Sequence, residues 1–420
     1  MSLKQGIAVR GGKQLEGEIR VQGAKNSALP ILAAAVLCKT QVTLYNCPRL
    51  TDCDAALRIL STLGCNCKRE GNCVTINPSV ISKTEIPASL MREMRSSVIF
   101  SGALLGREKC CRLSFPGGCE IGARPIDFHL AAFRKMGVSI GEEHGYLDCR
   151  CEKLCGEVIR LPLPSVGATE NIMLAAVLAD GVTEIHNAAR EPEIEDLAGF
   201  LRRCGAKISG DGTGLIVIEG VKELYGCEYS IMPDRIAAAT YLCCGAITRG
   251  EIILTKADFR SLEPFSSVLE QMGCGIYSFG ADSVYMNARK RLKAPNTVRT
   301  AVHPGFPTDA QPVLMALCSA VKGTTLFVET IFENRYRHAG ELSRLGAKIS
   351  VEGRVAVVEG VEQLSGAELM ATDLRGGAAM VVAGLFAEGV TRIGNAGYIY
   401  RGYEDIEDCL RSIGADIKAV

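Results

Sequence analysis

Residues 194–220 read IEDLAGFLRRCGAKISGDGTGLIVIEG. Up to Cys204 the apolar residues recur every three or four places, the period of a half-buried helix. From Ala206 they alternate, the period of a strand with one face inside. Gly205 stands between the two patterns, where a helix C-cap that needs positive φ is expected. The same junction recurs as Leu63-Gly64-Cys65, Met136-Gly137-Val138, Cys204-Gly205-Ala206, Met272-Gly273-Cys274, Leu345-Gly346-Ala347 and Ile413-Gly414-Ala415, at glycine spacings of 73, 68, 68, 73 and 68. Six copies of one unit therefore fill the 420 residues, and such a period decides the architecture.

Working outward, a second element repeats in step: SALPILAAAVLCKT, ASLMREMRSSVIFSGALLGRE, SVGATENIMLAAVLADG, DRIAAATYLCCGAITRG, PTDAQPVLMALCSAVKG and DLRGGAAMVVAGLFAEG. These runs of small and apolar residues predict helices packed on all sides. A β-rich segment follows each, as in TQVTLYN, GVTEIHN and GVTRIGN, so each unit reads as helix, strand, helix, strand, strand. The tails after the third and fifth units, beginning at Leu215 and Val355, match the first residues from Ile7, whereas the sixth unit stops before its own tail. Residues 1–24 are therefore expected to complete the sixth unit. The predicted fold is α/β, with three units per domain: 25–232 in one, 1–24 plus 233–420 in the other. A cleft between such domains is a natural place for a substrate and for closure.

Composition narrows the function. With 47 Lys plus Arg against 47 Asp plus Glu, no global basic field exists to attract nucleic acid or an anionic membrane, so any bound anion must be held locally. The first residues carry no continuous apolar run and no segment offers about 18 uninterrupted apolar residues, which predicts a soluble, cytoplasmic protein. Nineteen cysteines, an odd number, without a secretion signal are expected to be reduced thiols. The absence of Trp, with aromatics at 5%, disfavours an aromatic stacking platform.

The predicted helix starts carry Lys25-Asn26-Ser27, Arg92 and Arg95, Ser165-Val166-Gly167, Asp234-Arg235, Thr308-Asp309, and Asp373 with Arg375. Free N–H groups favour anions there, and a neighbouring cation strengthens the site; the plainer alternative is a solvated cap or a structural ion pair. The loops PGGCEIGARPID (116–127), AAREPEIED (188–196), FENRYRH (332–338) and YIYRGYED (398–405) add further charge. Cys119 sits in the first, five residues before Arg124, where a glycine-rich loop can expose a thiol beside a cation; it can equally be buried filler. Asp127 and His129 open the next helix, where either can merely cap it.

Taken together, QGAKNSALP around Lys25-Asn26, PGGC-x-IGARP-x-D-x-H, SVGAT, NAAREPEI, MPDRI, HPGFPTD, ENRYRH, ATDLRGGAA and RGYEDIED closely resemble the UDP-N-acetylglucosamine enolpyruvyl transferases of the enolpyruvyl transferase superfamily, in order from about residue 8 to 417. The resemblance implies a two-domain inside-out α/β barrel. It also implies transfer of the enolpyruvyl group of phosphoenolpyruvate to the 3-hydroxyl of UDP-N-acetylglucosamine, with release of phosphate, as the first committed step of peptidoglycan synthesis. No cofactor and no metal are implied; the partners are the two small-molecule substrates. On the matching positions, Cys119 would protonate the methylene carbon and be alkylated by fosfomycin. Lys25, Arg124 and Arg401 would bind phosphoenolpyruvate, with Arg95, Arg335 and Arg375 alongside. Asp309 would take the proton of the sugar hydroxyl beside Asn26. Arg124, Pro125, Ile126, Asp127, His129, Ser165, Val166, Gly167 and Ile331 would hold the nucleotide sugar. Two positions depart from the family pattern: Tyr400 replaces an acidic residue before Arg401, and DRIAAAT is poorer in polar side chains than expected.

Phosphoenolpyruvate and a diphosphate are densely anionic, so a neutral protein that binds both must gather arginines and lysines locally. The rival acceptor is shikimate 3-phosphate on the same fold, against which SVGAT and the loop cysteine argue; a slow regulatory paralogue is a further alternative. A metal or redox sensor built on Cys65-x-Cys67, Cys149-x-Cys151 and Cys155 is disfavoured, because a C-x-C pair on a strand is not the usual zinc knuckle.

Overall fold

The computed structural model describes residues 6–114 and 126–420, the side chain of Arg95 apart. The described chain divides into two compact units, one combining residues 23–114 with 126–232 and the other residues 6–22 with 233–420. The division falls between Gln22 and Gly23, two residues before the one read from the sequence.

Among the described residues, twenty-four strands form six four-stranded sheets of one topology. In the third repeat, Val182–His186 pairs parallel with Val158–Arg160 and antiparallel with Leu215–Glu219, which pairs antiparallel with Lys207–Ser209. Each repeat is thus strand, helix, strand, helix, strand, strand. The opening strand is an addition to the unit expected from the sequence. It spans only two or three residues in five of the six sheets, Glu85–Ile86 being the shortest, too short for an alternating pattern to register.

The ends of the chain also differ from expectation. Gly6–Arg10 completes the sixth sheet between Val390–Gly394 and Asp416–Ala419. Glu16–Arg20 instead opens the fourth, parallel to Glu251–Thr255. Reciprocally, Glu228–Ser230 closes the first sheet beside Val42–Tyr45. Each unit therefore completes its own three sheets from distant chain segments.

The two helices of a repeat have different jobs. Arg235–Ile247 is buried along its whole length, and Gln311–Ser319 likewise. With Leu374–Phe386 they pack on one another at the centre of their unit. Lys25–Ala34, Phe100–Glu108 and Val166–Ala176 form the corresponding core of the other. Alanine and glycine permit this close approach: a Cβ on Gly102 would lie 2.2 Å from the Asn171 carbonyl oxygen. Ala237, Ala238 and Ala239 fill such a buried face, which explains the loss of polar side chains in DRIAAAT. The second helices are amphipathic, burying Ile194, Leu197, Ala198 and Leu201 in Pro192–Arg203.

All six junction glycines have positive φ, from 95° at Gly137 to 111° at Gly64. After each, the next amide turns back to the helix, as in Ala206 N–H to Leu201 carbonyl at 2.9 Å and Cys65 N–H to Leu60 carbonyl at 3.0 Å. This is the Schellman closure that releases the chain into a strand. One predicted helix is broken: residues 88–108 form Ala88–Glu93, a 3₁₀ turn Arg95–Ile99 and Phe100–Glu108, with Met94 extended at the break.

Candidate active site

In the unit containing Gly23 and Met232, the described candidate residues lie at the starts of the buried helices Lys25–Ala34 and Val166–Ala176, in the turn Arg95–Ile99 and at the start of the amphipathic helix Asp127–Lys135. A Cβ at Gly23 would lie 1.8 Å from the Asn46 carbonyl oxygen, so glycine alone lets the chain pass there before Lys25 begins the first helix. That helix has no side-chain cap. Ser27 donates to Asp196, which also accepts from the Tyr229 hydroxyl at 2.7 Å and from the Met232 amide at 3.2 Å. Burial pushes the Asp196 carboxyl up. Lys25 Nζ lies 2.6 Å from Asp52 Oδ2, with both residues buried, while Asn26 is exposed. Asp52, in the first turn of Thr51–Leu63, was not singled out in the sequence; its signal was an acidic residue near a helix start.

Ser165 caps Val166–Ala176 by accepting from the Ala168 amide at 3.4 Å. Gly167 faces the ring of His129: an added Cβ would meet His129 Cε1 at 3.3 Å and Nε2 at 3.6 Å. His129 is buried, which pushes its pKa down to about 4 against the pull of Asp127. Asp127 is exposed and Ile126 half-buried at the start of the same helix. The structure places two of the candidate residues, His129 and Gly167, side by side; Asn171, whose amide meets His129 Nδ1 at 2.8 Å, was not singled out in the sequence. Cys119, Arg124 and Pro125 lie outside the described residues, and Arg95 opens the 3₁₀ turn.

In the other unit a carboxylate is clasped by two arginines. Arg335 Nη2 donates to Asp309 Oδ1 at 3.0 Å, and Arg375 Nη2 donates to Oδ2 at 3.3 Å. Each guanidinium is only 2% exposed, whereas the Asp309 side chain is 27% exposed. Arg335 is anchored on the Thr308 carbonyl at 3.2 and 3.1 Å. Arg375 Nη1 donates to the Tyr403 hydroxyl at 3.3 Å, which hydrogen-bonds Thr240 at 2.8 Å. Burial opposes the charge on Arg375, but Tyr403, Asp309 and Asp234 outweigh it and raise its pKa. Asp309 lies in the 3₁₀ turn Thr308–Ala310, one residue before Ala310, the N-cap of Gln311–Ser319, so it does not occupy the cap position considered from the sequence.

By contrast, Asp234 and Asp373 cap their helices conventionally, accepting from Ile236 and Ala237 and from Arg375 and Gly376. With Ser165, three of the six helix starts are therefore ordinary caps. Buried Glu329 joins two loops, accepting from the Thr308 hydroxyl at 3.0 Å and from the Ile331 amide at 2.8 Å. Half-buried Arg401 ends the turn Ala396–Arg401. Gln22 clamps the following loop, donating to the Gly402 carbonyl at 3.0 Å and accepting from the Glu404 amide at 2.7 Å. Tyr400 donates to Glu407 Oε1 at 2.6 Å, so its hydroxyl is held by the helix Ile406–Ser412 that follows its turn. Among the described residues, no three Cys, His, Asp or Glu are grouped to hold a metal ion, and no helix is long and apolar enough to cross a membrane.

Residues 9–410 match the model of the EPSP synthase (3-phosphoshikimate 1-carboxyvinyltransferase) family. The chain is 52% identical, over 97% of its length and 98% of the relative's, to UDP-N-acetylglucosamine 1-carboxyvinyltransferase 2 of Caldanaerobacter subterraneus subsp. tengcongensis. It belongs to the UDP-N-acetylglucosamine 1-carboxyvinyltransferase family of enolpyruvyl transferases. The carboxyvinyltransferase of Solidesulfovibrio magneticus is 47% identical over 98% of this chain and 99% of its own. Among solved structures, the enolpyruvyl transferase NikO from Streptomyces tendae superposes with a TM-score of 0.89 at 27% identity, covering 98% of both chains. EPSP synthase from Acinetobacter baumannii, at a TM-score of 0.78 and 18% identity over 99% of this chain and 100% of its own, shares the fold. This chain is accordingly a transferase of the enolpyruvyl type with the inside-out α/β architecture.

Proposed function

We propose that this carboxyvinyltransferase moves the enolpyruvyl group of phosphoenolpyruvate to the 3-hydroxyl of the N-acetylglucosamine in UDP-N-acetylglucosamine, releasing inorganic phosphate. The observation that carries this reading is the 52% identity, across 97% of the chain, to a protein named for that acceptor. The reaction is an addition followed by an elimination. A proton goes to the vinyl methylene, the sugar oxygen attacks the resulting cationic carbon, and the adduct loses a proton and phosphate.

Each step needs an acid or base beside a polyanion. Cys119 donates the methylene proton and is the thiol whose sulfur opens the epoxide of fosfomycin, forming a thioether. Lys25, Arg124 and Arg401 bind phosphoenolpyruvate, with Arg95, Arg335 and Arg375 supporting them. Asp309 accepts the sugar hydroxyl proton, with Asn26 hydrogen-bonding the acceptor. The clasp of Arg335 and Arg375 supports that role, because it fixes the direction of the carboxylate while a quarter of its side chain stays open. The nucleotide sugar is held by Ile126, Asp127, His129, Ser165, Val166, Gly167 and Ile331 together with Arg124 and Pro125. The setting is the cytoplasm, at the first committed step of peptidoglycan synthesis, which ties the enzyme to cell shape and division.

Phosphate release from phosphoenolpyruvate tests the reading. Release is expected with UDP-N-acetylglucosamine and not with shikimate 3-phosphate; the reverse preference would overturn it.

A further inference from the structure

Asn171 sits in the middle of the buried helix Val166–Ala176, a place where an amide side chain must have its bonds satisfied. Its orientation is set by backbone groups that have no choice of role. The Gly102 amide can only donate, and it lies 2.7 Å from Asn171 Oδ1. The Val98 carbonyl can only accept, and it lies 3.0 Å from Asn171 Nδ2. The second hydrogen of that same Nδ2 meets His129 Nδ1 at 2.8 Å. His129 Nδ1 must then carry the lone pair, which leaves the ring proton on Nε2. The Cε1–Nε2 edge is the one turned toward Gly167, at the start of the helix, whose first amides have no acceptor four residues back.

We propose that Asn171 is a positioning residue that locks His129 in the Nε2–H tautomer, so that the ring presents a neutral hydrogen-bond donor to an oxygen of the nucleotide sugar. The proposal rests on the reading that His129 and Gly167 face that substrate. A ring in the other tautomer would turn a lone pair toward the same oxygen and repel it. Desolvation of the ring supports the neutral form over imidazolium.

The test is the long-range ¹H–¹⁵N correlation spectrum of the histidine-labelled enzyme, with His129 assigned by its loss in His129→Gln. Wild type should show the Nε2–H pattern, and UDP-N-acetylglucosamine should shift it. Asn171→Asp replaces the donor with an acceptor of the same shape, so the pattern should invert to Nδ1–H. KM for UDP-N-acetylglucosamine should then rise about 10-fold, the scale of one neutral hydrogen bond, with kcat little changed. Asn171→Ala, which imposes neither form, should give an averaged spectrum and covers the case in which the aspartate variant does not fold. A wild-type Nδ1–H pattern, or variants that keep the wild-type tautomer, would overturn the proposal. If the tautomer behaves as expected but UDP-N-acetylglucosamine leaves the His129 signals unmoved, it is the placement of the substrate that fails.

Discussion

Replacing Asp52 by Asn is expected to expose how much of the first buried helix depends on one ion pair. Lys25 Nζ and Asp52 Oδ2 are 2.6 Å apart, and the residues are 8% and 3% exposed. Removing one charge of such a pair leaves the other in a poorly solvated place and costs about 3–5 kcal/mol. The lower end applies here, because the asparagine oxygen can still accept from the ammonium. At roughly 2–4 °C per kcal/mol for a domain of 150–250 residues, a loss of about 3 kcal/mol lowers Tm by roughly 6–12 °C. Differential scanning calorimetry reads the shift. The double variant Lys25→Met/Asp52→Asn no longer strands a charge and should recover more than half of the loss, although it lacks the proposed phosphoenolpyruvate ligand. A single variant melting within about 2 °C of wild type, or a double variant no better than the single, would refute the view that burial makes this pair matter.

Asp309→Ala should lower turnover about 100-fold or more if the carboxylate is the base. It should also lower Tm, because Arg335 and Arg375, each 2% exposed, lose a shared counter-charge. Asp309→Asn keeps an acceptor for one arginine and should separate the two effects, with activity lost and Tm falling less. Gly346 has φ 97° and nothing within 4 Å of an added Cβ, so Gly346→Ala tests backbone strain alone; a cost of about 1 kcal/mol should appear as a reduced urea midpoint. Two buried histidines should make the fold acid-sensitive. His129 is held down to about 4 by burial despite Asp127, and His338 to about 4 by burial and Arg335 despite Asp373. Both lie below the unfolded value of about 6.5, so the unfolded chain takes up more protons as pH falls through that interval. Their stabilisation is complete above pH 6.5 and drains away toward pH 4, by roughly 2 kcal/mol per histidine at pH 5. Urea midpoints measured at pH 7 and pH 5 should show it, and His338→Phe should flatten the difference if it folds normally.

The sequence by itself determined the repeat. The glycine at each helix-to-strand junction is demanded by local backbone geometry, and positive φ at Gly64, Gly137, Gly205, Gly273, Gly346 and Gly414 follows from it. The buried and amphipathic helices were legible for the same reason, since burial on all sides or on one side writes a periodic pattern into neighbouring residues. Candidate positions such as Lys25, His129, Gly167, Asp309, Arg335 and Arg375 were also legible, through motifs and charge at helix starts. Only the tertiary structure decided what they touch. Asp52 lies 27 places from Lys25, Asn171 lies 42 from His129 and Asp309 lies 66 from Arg375, and no local preference encodes a partner at such separations. The short opening strands were invisible on the same grounds: a stretch like Glu85–Ile86 becomes a strand by hydrogen bonding to Arg112 and Leu113. So too with the chain ends, where Glu16–Arg20 and Gly6–Arg10 read as one tail yet join different sheets. Local sequence sets which conformations a segment favours; the company it keeps is settled by the packing of the whole chain.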